Sequence, residues 1–503
     1  MTDRVPEDRE LTDWLTSQSA LSIQHLLRNV SPAAPIERTV ASVHIAPDRL
    51  ELARREAERP NGLIRFAGGS VIQKIRPRPG SVAAAAMGKP GEPDYSFHWV
   101  RDSALVMRML ATLEAASAAT EAAIYEHRLA DFIRFSRLLQ QSGSPEGLGE
   151  ARYNLDGSQD ILRWSRPQFD GPPLRALALM HFESLRRREP SPELTHTLDE
   201  VLEADLDYVA GNWEREGFDL WEEYRGHDFH ARLVQMAALE AGARRAVARH
   251  DRERAQHYGA AAAGLRAALE QHWLADREYY GFFVGPRVYW DGTQRTKPGD
   301  NFDVAVVLAA VHGRISEGRY SLLDDRILAC AIHAEDLFAS LYSINQARRA
   351  GEGVLFGRYA GDTYYGGNPM VFLTLELAEG YYRVARLLAP RTSFAVTPLN
   401  RSFLERAWLR GGLTSRLGVH DNALAGATRR RELLRGLILR GDDILRAVRR
   451  FTPASGELPE QFDQASGAPA SCPNLSWSHA AFLTATQARA GALAALAALS
   501  AKG

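Results

Sequence analysis

Two glutamates stand side by side in FDLWEEYRGHDFH, Glu222 and Glu223, and a third, Glu460, follows a proline in GELPEQFDQ. Neighbouring residues project in different directions on a helix or a strand, so Glu222 and Glu223 are not expected to share one task. Two carboxyl groups brought together from separate loops are what glycoside hydrolysis requires. One is protonated and hands its proton to the leaving oxygen, while the other is ionised. A dry setting lined by tryptophan raises the first pKa, because burial disfavours the charged form. Six stretches carry matching chemistry: EPDYSFHWVRDS, ILRWSRPQFDGPPLR, FDLWEEYRGHDFH, VYWDGTQRTKPGDNFD, FGRYAGDTYYGGNP and GELPEQFDQ. Their Trp and Tyr rings offer flat apolar faces to the C–H face of a pyranose. Their Arg and Asp side chains offer charge-assisted hydrogen bonds to its hydroxyl rim.

Helices must position these loops. LEADLDYVAGNW places Leu202, Leu206 and Val209 on one stripe, and HARLVQMAALEAGARRAVARH, RAQHYGAAAAGLRAALEQHW, LACAIHAEDLFASLYSINQ and VFLTLELAEGYYRVARLL read the same way. DVAVVLAAVHG is apolar almost all round, as a helix wrapped by others would be. Alternating strands are scarce, and FFVGPRVYW, Phe282 to Trp290, is the best candidate for a short hairpin. The loops recur at the scale of a helical hairpin, so the pattern predicts an all-α chain of about twelve helices, a closed toroid of six hairpins with its loops at one mouth. An ordinary helical domain with scattered loops has the same periodicity, and at this level both stand. Residues from about Val30 to Gly69 lack these motifs and read as an insertion or edge feature.

Of the 503 residues 45% are hydrophobic, enough for a large core, and the formal net charge of −1 speaks against nucleic acid or an anionic membrane as partner. The two cysteines, Cys330 and Cys472, build no disulfide framework, which points to a reducing, cytoplasmic setting. The opening MTDRVPEDRELTDWL has no basic stretch leading into an apolar run, so no secretory signal is expected. The Ala-rich tail from Ala488 to Ala501 reads as a surface-packed helix rather than a membrane span. His227 and His230 fall three apart and could share a helix face, but two histidines without a third ligand make no metal site. The glycines of GSPEGLGE lack the strand-to-helix setting of a phosphate loop and read as turns.

PDYSFHWVRDSALVMRML, GLGEARYN followed by WSRPQFDGPPLR, DLWEE, GRYAGDTYYGGNP and EQFDQASG…LSWSHAAFLTA resemble, in order, the successive motifs of glucoamylases, glycoside hydrolase family fifteen. DWLTSQSALSIQHLLRNVSP resembles that family's first helix, and IRPRPGSVAAAAM its bacterial branch. The resemblance implies an (α/α)6 barrel in one catalytic domain over 1–503. Residues 1–74 would lead in, 75–489 would carry the motifs, and 490–503 would be a helical tail. It implies hydrolysis of gluco-oligosaccharides from the non-reducing end, releasing β-glucose with inversion, without metal or organic cofactor. Glu222 then matches the general acid, Glu223 a residue holding sugar on the leaving-group side, and Glu460 the general base. Inversion needs room for a water, so the two carboxyls are expected roughly 6.5–9.5 Å apart. Arg101 and Asp102 match a clasp on the terminal glucose, Arg358 a further sugar-binding arginine, and Tyr95 a tyrosine near the base. Trp99, Trp164 and Tyr364 match residues of the pocket wall, and Gln461 is placed to help position the water.

Where fungal relatives of that family carry tryptophan after NP, this chain has Met370, which is expected to weaken stacking with the leaving-group sugar or to alter linkage preference. No starch-binding module is expected, which favours soluble malto- or isomalto-oligosaccharides over raw starch. Linkage preference, including action on trehalose, and oligomeric state are not legible in the motifs. A phosphorolytic relative on a similar toroid, a sugar-binding protein without catalysis and a toroidal terpene cyclase remain as other readings. The Arg-rich polar loops fit the cyclase least. The bland readings also stand at this level: Glu222 and Glu223 as acids at a helix N-terminus, Arg101–Asp102 as a structural ion pair.

Overall fold

Apolar residues at three- and four-residue spacing build twelve long helices in this computed structural model. It describes residues 8–58, 63–86, 88, 92–187, 190–295 and 298–500. The first seven residues, Met87 of IRPRPGSVAAAAM, Thr296 and Lys297 of the fourth loop and the last three residues of the tail lie outside that set. The helices are α1 (Arg9–Asn29), α2 (Val100–Ala116), α3 (Ala119–Gln140), α4 (Gly171–Leu185), α5 (Pro192–Asn212), α6 (Phe229–Ala248), α7 (Arg252–Glu270), α8 (Ala305–Gly313), α9 (Asp325–Leu341), α10 (Val371–Leu388), α11 (Ala427–Phe451) and α12 (Ser476–Ser500). Further helices at Leu50–Ala57, Ser343–Gln346 and Arg401–Arg410 sit in the connections.

The even-numbered helices form an inner ring. α2 packs on α4, α4 on α6, α6 on α8, α8 on α10, α10 on α12, and α12 closes back on α2. The odd-numbered helices pack around them, and α1 lies against α12, so the two ends of the chain seal the toroid. Sequence dictates which helix goes where. Every residue of α8, AVVLAAVHG, is buried, whereas α7 buries only the stripe Tyr258, Ala261, Ala262, Leu265, Ala268 and Leu269. Aspartate or serine caps several starts: Asp8, Ser191, Asp228, Asp251 and Asp324 each accept a backbone N–H two or three residues on. One apolar cluster runs through both rings from Leu11 to Leu496. This is the (α/α)6 arrangement with minor strands.

The segment after α1 forms a three-stranded antiparallel sheet, β1 (Ile36–Ala41), β2 (Ile64–Ala67) and β3 (Ser70–Ile75), in the order β1-β3-β2, with Ile36 opposite Ile75. It packs on its own small cluster of Ile45, Ala53, Ile64, Val71 and Ile161, an edge feature of the barrel. A second sheet holds β4 (Gly217–Phe218), β5 (Tyr224–Asp228) and β6 (Phe283–Tyr289), with β5 central.

Two expectations are corrected here. FFVGPRVYW is no hairpin in itself: β6 is a single strand antiparallel to β5, with Phe283 opposite Asp228 and Tyr289 opposite Tyr224. His227 lies in β5 while His230 lies in the first turn of α6, so they share no helix face. The Ala-rich tail is a largely surface-packed helix over its described residues, as expected, and it continues α12, which runs unbroken from Ser476 and whose first half is barrel wall, with Trp477, His479, Phe482 and Ala485 buried. By length and apolarity α12 would pass for a membrane span. Its first half packs between α2 and α10, while its most apolar 18-residue stretch is only 28% buried.

Buried ion pairs tie the rings together. Asp205 of α5 accepts from Arg175 of α4 at 2.6 and 2.8 Å and from Gln140 of α3 at 2.9 Å, and both partners of the pair are almost fully buried. An Asp205→Ala variant leaves the guanidinium uncompensated and is expected to lose about 3–5 kcal/mol. Chemical denaturation checks this, and a loss under about 1 kcal/mol would contradict a buried, fully engaged pair.

Candidate active site

All six aromatic and charged loops lead directly into inner-ring helices: α2, α4, α6, α8, α10 and α12 in turn. Their residues line one cavity of about 770 Å³ at that end of the toroid. Six helix N-termini therefore surround it, a positive-potential setting that favours carboxylates. Glu222 and Glu460, 238 positions apart in the chain, both face this cavity.

Glu222 sits in the turn between β4 and β5 with φ at +66°, a left-handed conformation that costs a β-carbon residue strain and is held only by its surroundings. Ser165 Oγ donates to its carbonyl. Its Oε1 accepts from Trp99 Nε1 at 2.8 Å, Gln168 Nε2 at 2.9 Å and Arg101 Nη2 at 3.3 Å. Three N–H donors on one oxygen fix the carboxyl's orientation and leave Oε2 without a hydrogen-bond donor among the described residues. Glu223 is held differently. Its Oε1 accepts from Arg358 Nη2 at 2.9 Å and its Oε2 from the Tyr359 hydroxyl. Both oxygens of Glu223 are thus held by donors from the Arg358–Tyr359 segment.

Glu460 approaches from the loop before α12. Ser471 Oγ and the Tyr95 hydroxyl donate to its Oε2, the latter at 3.2 Å. Backbone bonds to Cys472 and Val371 fix its main chain. Burial pushes its carboxyl above the ordinary value, opposed by the Ser471 and Tyr95 hydrogen bonds and by the Arg358 charge. The Tyr95 hydroxyl also meets that of Tyr364, so one tyrosine pair carries the base-side wall.

Arg101 and Asp102 occupy the first turn of α2, facing the cavity. The guanidinium is largely committed to protein partners: Gln168 at 3.0 Å, Asp170 at 3.1 Å and Glu222. Burial pushes the Asp102 carboxyl up to about 7 despite Arg101, with the Glu222, Asp170 and Glu460 charges acting in the same direction as burial. Trp99 packs edge-on to both Tyr95 and Trp164. Trp164 has Arg152 over one ring face at 3.4 Å and stands 37% exposed at the mouth. Arg358 and Met370 are buried in the wall, and Arg358 is also paired with Asp362.

Gln461 does not reach the cavity. It opens a short strand, β7 (Gln461–Phe462), paired with β8 (Pro469–Ala470), and successive residues there point to opposite sides. Glu460 faces the cavity. Gln461 is fully buried, accepts from Asn368 at 3.1 Å and directs its amide toward the Tyr364 carbonyl. Its place is structural, bracing the loop beneath the tyrosine wall.

Several residues of the site were not singled out from sequence. Trp477, inside LSWSHAAF, stacks on Phe372 at 4.0 Å and lines the floor with it. Its indole N–H donates to Glu376 at 2.6 Å, and Glu376 in turn meets His312 at 2.8 Å. Burial drives the histidine down to about 3 and the glutamate up to about 8, so near neutral pH this contact is a hydrogen bond between uncharged groups rather than an ion pair. Trp221 donates to Asp303 at 2.8 Å and completes the floor. Gln168 and Asp170, inside RPQFDG, orient Glu222 and Arg101. Buried aromatic and amide positions look like core in a sequence, and only their convergence on one hollow marks them.

The model of the glycosyl hydrolases family 15 matches residues 61–487. Glucoamylase 1 of Rhizopus oryzae is 30% identical over 449 residues, covering 87% of this chain and 71% of the relative. Glucoamylase-1 of Schizophyllum commune is 31% identical over 443 residues, covering 85% and 73%. Among solved structures, the family 15 glucoamylase from Hypocrea jecorina superposes with a TM-score of 0.75 at 28% identity, covering 96% of this chain and 72% of that one.

Proposed function

Since the chain belongs to glycosyl hydrolase family 15 and is a glucoamylase-type glycoside hydrolase, we propose that it removes glucose from the non-reducing ends of soluble α-1,4- or α-1,6-linked gluco-oligosaccharides by a single inverting displacement. The observation that carries this reading is the contrast between Glu222, with one oxygen clasped by three N–H groups and the other open, and Glu460, buried in the lining of the same cavity among hydroxyl donors.

The terminal glucose occupies the end of the cavity where Arg101 and Asp102 stand, over the Trp477–Phe372 floor. Glu222 transfers its proton from Oε2 to the glycosidic oxygen as the C1–O bond breaks. Positive charge develops on C1 and the ring oxygen, next to Glu460, Asp102 and Glu223. Glu460 takes a proton from a water whose oxygen bonds to C1 on the opposite face. The products are β-glucose and a chain one sugar shorter. Exchange with solvent returns a proton to Glu222 and removes one from Glu460. Arg358 and Tyr359 hold Glu223 as an anion for the leaving-group sugar, so the neighbouring acids divide the work.

The relatives described above are fungal. Placement in the bacterial branch rests on IRPRPGSVAAAAM, and a cytoplasmic location rests on two buried, unpaired cysteines. Proton NMR of fresh digests of maltose, isomaltose, trehalose and maltotetraose tests the reaction. With maltotetraose the first new glucose signal is expected to be the β-anomer, with maltotriose as the co-product, while the three disaccharides report which linkage is cut. Initial α-glucose from maltotetraose, or maltose released from it by internal cleavage, overturns the reading.

A further inference from the structure

We propose that Trp290 is an outer sugar platform, holding glucan units beyond the first leaving-group residue and setting the enzyme's preference for longer oligosaccharides. It rests on the exo-hydrolase reading above and extends it. Three observations converge on this residue. First, Trp290 lies on the lining of the catalytic cavity yet is 63% exposed, so it belongs to the mouth and not to the closed end. Second, its backbone N–H donates to the carbonyl of Glu223 at 2.8 Å. That bond hangs the tryptophan from the turn that carries the proton donor, on the side where the departing chain leaves.

Third, the ring is presented by a braced tip. Tyr289 N–H donates to the Thr293 carbonyl at 2.8 Å, Asp291 caps the Thr293 amide at 2.9 Å, and Gly292 turns the chain with φ at +85°. Tyr289 itself packs on Tyr224 with ring centroids 5.0 Å apart and carries the Arg295 guanidinium 4.4 Å above its ring. An exposed indole on a backbone-braced turn at the exit of a sugar pocket suits the apolar C–H face of a glucose unit, with its hydroxyl rim left in water. Trp164 stands at the same mouth on the α4 side, so a chain leaving the cavity passes two indoles. The family-matched leaving-group tryptophan is Met370 here and is buried in the wall, which leaves the stacking surface at the rim.

The test is the ratio of kcat/KM for maltotetraose to kcat/KM for maltose, because the shorter substrate ends before the rim. Trp290→Ala is expected to lower that ratio about 3- to 10-fold, the range one aromatic contact supplies. Trp290→Phe, which keeps a flat ring, is expected to hold it within about twofold. An unchanged ratio in Trp290→Ala overturns the proposal. So does a loss shared equally by maltose and maltotetraose, which places the residue in the fold or at the first two subsites. Failure of the underlying reading looks different: wild-type protein then releases no glucose from either substrate, or cuts maltotetraose internally.

Discussion

A Glu222→Gln variant is expected to lose about 10²–10⁴-fold in kcat on maltotetraose while folding as the wild type does. The amide keeps an oxygen acceptor for Trp99, Arg101 and Gln168, so the clasp on Oε1 survives and the cavity keeps its shape. Only the proton aimed at the glycosidic oxygen disappears. The consequence is substrate-dependent. A poor leaving group, such as a sugar alkoxide, needs that proton, whereas fluoride does not. On α-glucosyl fluoride the same variant is therefore expected to keep most of its rate. Stopped assays on the two substrates side by side check this. Near-normal turnover of maltotetraose, or an equal loss on both substrates, removes Glu222 from the donor role and puts Glu223 back in question.

For Glu460→Gln the expected loss is of the same order, about 10²–10⁴-fold, but shared by both substrates, since water must be deprotonated whatever leaves. Its second signature is in pH. Burial holds the Glu460 carboxyl above its ordinary 4.5, so wild-type activity is expected to fall as pH drops through a value higher than that. The variant loses this limb. Stability moves the other way. A carboxyl whose folded pKa is raised binds its proton more tightly in the folded than in the unfolded state. Ionising it therefore costs stability as pH rises from 4.5 through the folded value, and that cost persists above it. Glutamine carries no charge to bury, so denaturant midpoints at neutral pH are expected to be equal to or above the wild type's. A strongly destabilised variant, or a wild-type acid limb at or below 4.5, would show that Glu460 is held for structure and not as a base.

Much of this site is readable before any coordinates. Glu222 and Glu460 lie in motifs whose residue types suit sugar hydrolysis, and Trp99, Arg101, Asp102, Trp164, Arg358 and Tyr364 all line the cavity to which their loops were assigned. Gln461 is the instructive exception. Proximity in sequence to Glu460 suggested a shared task, but in an extended segment the next residue faces away, and pairing with β8 settles which of the two faces inward. Trp477 is the converse. It sits within a helical run that any reading assigns to the core, and its contact with the floor depends on Phe372 arriving from α10.

By itself the sequence determined the helical class, the enclosed place of DVAVVLAAVHG and the composition of the six loops. These rest on local periodicity and side-chain chemistry, which a short window of residues contains in full. Only the tertiary structure decided that α1 and α12 close the ring, that β6 pairs with β5 instead of folding on itself, that Glu222 adopts a left-handed backbone, and which oxygen of Glu222 is open. Each of those is set by partners far away in the chain, Trp99, Gln168 and Ser165 among them, and no local pattern encodes the distance at which they arrive.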